Sequence, residues 1–97
     1  SNEMARRIKA TCKQAGIAFL YDSPTNQQFP ILSNDLLATL ERTYAFAHIQ
    51  RVDKHHSAIR ICTSWATRAE DVEQLCADLL KLTEQSHVTH RMSFVQH

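Results

Sequence analysis

The stretch IRICTSWATRAEDVEQL, residues 59–75, decides the fold. It opens as a strand, since β-branched and small apolar residues alternate through AIRICT, residues 58–63. It then turns into a helix. Thr67 and Glu70 have the spacing of a capping box, in which each side chain bonds a free amide of the first turn. Val72, Leu75, Cys76, Leu79, Leu80 and Thr83 follow as one helical stripe. Alternation puts Ile59, Ile61 and Thr63 on one face of the strand and Ala58, Arg60 and Cys62 on the other. The isoleucines belong under the helices. Arg60 therefore stands on the open face, with a small residue two places away on each side.

Working outward, residues 3–15 carry Met4, Ile8, Cys12 and Ala15 at close to helical period, and Gly16 follows where a C-cap glycine belongs. IAFLY (17–21) reads as a short strand, broken by DSP (22–24). TNQQFPIL (25–32) alternates: Gln27, Phe29 and Ile31 share one face, Asn26 and Gln28 the other, with Pro30 marking an edge or a strand end. Ser33 is placed to cap a helix to about Thr43, with Leu36, Leu37 and Leu40 inward. YAFAHIQ (44–50) alternates as a strand, and RVDKHHS (51–57) is a polar connection. After Ser86 the pattern fades. The expectation is an α+β domain over residues 1–86, with a small, mostly antiparallel sheet of three to four strands and helices packed on one face, and an unassigned tail at 87–97.

Composition narrows the function. With 11 basic and 10 acidic residues the net charge is +1, which lacks the concentrated basic field that nucleic acid or an anionic membrane requires. Arg6, Arg7, Lys9 and Lys13 read as a solvated helix face. One glycine, Gly16, leaves no phosphate-binding loop of the Walker or dinucleotide type. Cys12, Cys62 and Cys76 are odd in number, widely spaced and set among apolar residues, so they read as small core residues of a cytoplasmic protein. No apolar run approaches the ~18 residues of a membrane span.

Few residues carry chemistry. His48, His55, His56, His87, His90 and His97 form no set of four metal ligands, so no metal site is expected. Trp65 sits at the mouth of the strand, where such a residue closes the end of a core or packs beside a ligand ring. Asn26 and Gln28 share their strand's outer face, where they meet solvent or, if that strand neighbours 58–63, Arg60 and a ligand. An arginine on an outer sheet face is most often solvated, contributing roughly 0–1 kcal/mol. Its fork is also the side chain that matches a carboxylate with two parallel bonds.

SPTNQQFPIL (23–32), IRICTSWAT (59–67) and EDVEQLCADL (70–79) together resemble the C-terminal small domain of the threonine aldolase and aromatic amino acid β-eliminating lyase group, pyridoxal-phosphate enzymes of the aspartate-aminotransferase fold type. The likeness runs in order from the first helix to about residue 83. It implies that Arg60 binds the α-carboxylate of an amino-acid substrate, with Asn26 and Trp65 as lesser contacts. A two-point grip there helps hold the bond to be broken perpendicular to the cofactor ring. It also implies pyridoxal phosphate in the full-length enzyme and a missing N-terminal large domain as partner. Surface bared without that domain tends to associate, so the fragment is expected to be a homo-oligomer. Lys9, Lys13, Lys54 and Lys81 do not resemble the Schiff-base lysine of such enzymes. The expectation is that this chain holds no catalytic or cofactor-binding residue, binds no pyridoxal phosphate and is inactive alone. The alternative is a freestanding α+β module that binds a small ligand or mediates subunit contacts, with Arg60 a surface charge.

Overall fold

The computed structural model describes residues 2–23, 25–46, 49–64 and 67–95, with side chains between residues 3 and 84. In chain order they form α1 (Asn2–Gln14), β1 (Gln27–Gln28), β2 (Ile31–Ser33), α2 (Asn34–Leu40), β3 (Ile49–Arg51), β4 (His56–Ile59), β5 (Ile61–Cys62) and α3 (Ala69–Val95). The class is α+β, as expected. Its strands form two antiparallel sheets, one ordered β1-β5 and one β2-β4-β3.

α1 ends in a Schellman turn. The Gly16 N–H donates to the Lys13 carbonyl at 3.1 Å, and the Ile17 N–H to the Cys12 carbonyl at 2.8 Å. Gly16 has φ 77°, a left-handed conformation that a Cβ strains. This cap brings Ile17 back onto the core, where it packs half-buried.

The two sheets share one register. Gln27 faces Cys62, Gln28 faces Ile61, Ile31 faces Ala58 and Leu32 faces Ser57, with no residue skipped on either side. The ladder breaks over two pairs, Phe29 with Arg60 and Pro30 with Ile59. The Ile59 N–H donates to the Pro30 carbonyl at 3.1 Å, but proline has no N–H to return. One missing donor therefore cuts the expected strands 25–32 and 58–63 in two, next to Arg60. IAFLY, expected as a strand, is reduced to a single bridge between Phe19 and Pro30, with bonds from the Leu20 N–H to Phe29 O and from the Ile31 N–H to Ala18 O, both 2.8 Å.

The faces of 26–32 are the reverse of the expectation. Gln28, Pro30 and Leu32 are buried, whereas Gln27, Phe29 and Ile31 are only half-buried. Gln28 can turn inward because its Nε2 donates to the carbonyls of Ser23 (3.3 Å) and Thr25 (3.0 Å), so no polar atom is buried unpaired. On 58–63 the pattern holds with one exception. Arg60 and Cys62 are exposed and Ile59 and Thr63 buried, but Ala58 is also buried, its short side chain flanked in the central strand by Ile31 and Gln50.

Of the expected strand 44–50, Ile49–Arg51 is regular, Tyr44–Phe46 is not, and 47–48 lie outside the described residues. The polar connection shrinks to 52–55. There Asp53 accepts from the His55 N–H (2.8 Å) and faces His56 Nδ1 (3.0 Å), and these bonds hold its carboxyl below the usual range. α2 starts as expected, with Ser33 Oγ accepting from the Leu36 N–H at 3.2 Å, but it yields to a turn after Leu40.

The capping box at α3 is not formed. Thr67 Oγ1 accepts from the Ser64 N–H (2.9 Å), and the Arg68 carbonyl takes the first helical donors, Asp71 and Val72. Glu70 pairs instead with Arg68. The helix runs to Val95, past the point where its apolar stripe fades, because neither glycine nor proline interrupts 69–95.

The core joins all layers: Ile8 and Cys12 of α1, Leu32 and Ile59 of the sheet, Leu37 and Leu40 of α2, and Val72, Leu75, Cys76 and Leu79 of α3. At its rim Arg7 grips Glu73 with two bonds, 3.0 and 3.1 Å, and Lys9 pairs with Asp22, so part of the N-terminal basic cluster is engaged. The expectation of three core cysteines holds for two. Cys12 and Cys76 are fully buried and Cys62 is exposed. Burial, with a lesser contribution from Cys76, pushes the Cys12 thiol up to about 12. Thiolate is the reactive form, so near neutral pH Cys12 presents about a thousandfold less of it than an ordinary thiol. Titration of the native protein with an aromatic disulfide is expected to release one equivalent rapidly, from Cys62, and three after denaturation. Three rapid equivalents in the native state would overturn the burial of Cys12 and Cys76.

Candidate functional site

The Thr63 N–H donates to the Asn26 carbonyl at 3.0 Å, which fixes the phase of the upper ladder. Arg60 and Cys62 then turn their peptide groups to the side away from β1. The segment Tyr44–Phe46 and β5 together line a cleft of about 260 Å³. Its apolar lining comes from Ile8 of α1 and from Val72 and Leu75 of α3. Tyr44 and Phe46 supply an aromatic part, and Arg60, Ile61 and Cys62 line it from β5 and the residue before it. Thr67, just before α3, and Asp71, in its first turn, also line it.

The aromatic part is anchored. Tyr44 Oη donates to Asp78 Oδ2 at 2.6 Å, and its ring lies 6.3 Å from that of Phe46 at 31°. Burial, then the hydrogen bond and charge of Asp78, push the phenol well above its ordinary range, with a smaller contribution from Asp71. Tyr44 thus stays neutral and keeps donating. That bond ties an irregular segment to the middle of α3.

Arg60 is exposed, neither tucked under the helices nor locked to an acid: among the described residues nothing hydrogen-bonds or ion-pairs with its guanidinium. It lines the cleft with both Cys62, two places along the strand, and Asp71. Asn26 is otherwise placed. Its Nδ2 donates to the Thr63 carbonyl, while its own carbonyl accepts from the N–H and Oγ1 of Thr63, at 3.0 and 3.3 Å. It latches β1 to the residue after β5 and does not line the cleft. Gln28 is buried and spends its amide on the preceding turn. Trp65 lies outside the described residues.

Of the histidines, His55 and His56 are in the hairpin. His48 and His97 lie outside the described residues, as do the side chains of His87 and His90. No group of three or more possible metal ligands occurs among the described residues. None of the four lysines lines the cleft. Lys9 is paired with Asp22 on α1, Lys13 is exposed near the end of that helix, Lys54 sits in the hairpin, and Lys81 is exposed on α3.

No local pattern in the sequence brings Tyr44 and Asp71 to one cleft, or Tyr44 to Asp78. Asp71 was visible only as an acid in a helix's first turn, and Tyr44 as a residue of an alternating run. Pairing Tyr44 with Asp78 needed the turn after α2, which brings residue 44 against α3.

No protein-family model matches the chain, and no curated protein matches it. Among solved structures, threonine aldolase from Leishmania major matches with a TM-score of 0.80 and 32% sequence identity, over 84% of this chain and 24% of that one. The chain therefore spans about a quarter of the length of that enzyme. The resemblance carried by residues 23–32 and 59–79 extends to three dimensions. No helix among the described residues is long and apolar enough to cross a membrane.

Proposed function

We propose, on the premise of this likeness to a threonine aldolase, that the chain is the C-terminal substrate-binding part of a longer pyridoxal-phosphate lyase. The reaction of the whole is either retro-aldol cleavage of a β-hydroxy-α-amino acid, giving glycine and an aldehyde, or β-elimination. The observation that carries this reading is that Arg60 lines a cleft with its guanidinium unpaired among the described residues. A planar fork so placed is ready to take a carboxylate through two charge-assisted bonds. Holding an amino acid by that group restricts its rotation, which is the contribution assigned to this chain. Trp65 is proposed as a neighbour of the substrate. Asn26 is proposed to act at one remove, by fixing Thr63 and hence the course of the strand past Arg60.

The residues present do not fit the cofactor itself. A Schiff base requires an amine at the site, and no lysine lines this cleft. Pyridoxal phosphate and its chemistry are therefore assigned to residues outside this chain. A large N-terminal domain is the proposed partner, in a homo-oligomeric, cytoplasmic enzyme.

The test is a pair of assays. The isolated 97-residue protein, given pyridoxal phosphate and L-threonine, is expected to release no glycine and to show no borohydride-sensitive cofactor absorbance. A longer chain that includes these residues is expected to show that absorbance and to release glycine from L-threonine or, in the β-eliminating case, ammonia and a keto acid from an amino acid with a leaving group on its β-carbon. Cofactor bound covalently to the isolated protein would overturn the division of labour, and a longer chain without lyase activity would overturn the reading.

A further inference from the structure

Among the described residues, the cleft is lined by one cation, Arg60, and one anion, Asp71. Both are exposed, and neither is ion-paired with any described residue. The rest of the lining includes the apolar Ile8, Val72 and Leu75 and the aromatic Tyr44 and Phe46. Opposite charges that line one small cavity without neutralising each other are complementary to a ligand that carries both. The volume, about 260 Å³, lies below the ~300–1,000 Å³ of drug-sized sites and suits a molecule of amino-acid size.

We propose that the cleft of this chain by itself binds a free α-amino acid as its zwitterion, the carboxylate on Arg60 and the ammonium on Asp71. The side chain then faces Val72 and Leu75 and lies beside Tyr44 and Phe46, so the ligand class is amino acids with apolar or aromatic side chains. The proposal rests on the proposed role of Arg60 and adds two things to it: a second charged contact and a preference for side chain. The bond from Tyr44 to Asp78 keeps the aromatic part in place. Asp78 is already used by Tyr44, which leaves Asp71 as the carboxylate facing the ligand.

The test uses the isotope-labelled 97-residue protein, followed by NMR, with three probes of one ring size. L-phenylalanine carries both charges, 3-phenylpropanoate only the anion, and 2-phenylethylamine only the cation. L-phenylalanine is expected to bind about fivefold more tightly than either, the upper range for one exposed ion pair. Asp71→Asn is expected to reduce L-phenylalanine to the affinity of 3-phenylpropanoate, and Arg60→Gln to that of 2-phenylethylamine. Both substitutions are at exposed positions, and the spectra themselves report whether the fold is kept. Equal binding of L-phenylalanine and 3-phenylpropanoate would overturn the role of Asp71 while leaving Arg60 as a carboxylate site. Binding by none of the probes, or binding indifferent to Arg60→Gln, would overturn the site in this chain. Neither result bears on lyase activity of a longer chain, so the two readings fail separately.

Discussion

Leu79→Ala is expected to lower the unfolding free energy by about 3 kcal/mol, within the range of about 2–5 kcal/mol for leucine truncations in cores. Leu79 is 1% exposed and belongs to the cluster that joins α3 to α1, the sheet and α2. Truncation removes apolar atoms from that junction and leaves a cavity among side chains drawn from α1, α2, α3 and the sheet. A domain of this size has a total stability of about 5–15 kcal/mol, so the loss is a large fraction of it. Urea denaturation is expected to show a lower midpoint at an unchanged slope. Leu82→Ala, three residues on and only half-buried, is the control and is expected to cost less. Equal losses at the two positions would mean that α3 meets the core with a different face.

The helices were largely legible because period and punctuation agreed. In α1 the apolar positions, the cap glycine and the returning Ile17 all pointed to the same end. Ser33 and Gly16 are local devices whose geometry depends on neighbouring residues alone. α3 was legible in its middle and not at its ends. The Thr67 hydroxyl had two possible backbone donors, and the one in the preceding turn won.

The strands were less legible for two reasons. Alternation gives two faces but not which is inward when a glutamine can satisfy itself on a turn, as Gln28 does with Ser23 and Thr25. A proline's effect also falls on its partner strand. Pro30 was visible as a strand end, but that it also interrupts 58–63 beside Arg60 follows only from the register. The site divides in the same way. Arg60 was readable as an outward charge between small residues, whereas Asp71 and Tyr44 join it through folds of the chain that no local pattern encodes.

Arg60→Gln in a longer chain containing these residues is expected to lower kcat/KM for the amino acid about a hundredfold. Two hydrogen bonds to a charged group are lost, each worth about 1.5–3 kcal/mol, and water and the new amide recover part of that. Some of the loss is expected in kcat as well as KM, because a carboxylate held at one point no longer fixes the orientation of the bond to be broken. Arg60→Lys separates charge from geometry. It keeps the cation and loses the fork, and is expected to recover only about tenfold of the deficit. Stability provides the contrast. Arg60 is exposed and has no partner among the described residues, so neither substitution is expected to shift the unfolding midpoint of the 97-residue protein. A solvated surface charge would give the same unmoved midpoint but kinetics within twofold of the parent, and that outcome would leave the carboxylate without its proposed grip. A large fall in stability would instead show that the guanidinium is held inside the domain and was never free to meet a substrate.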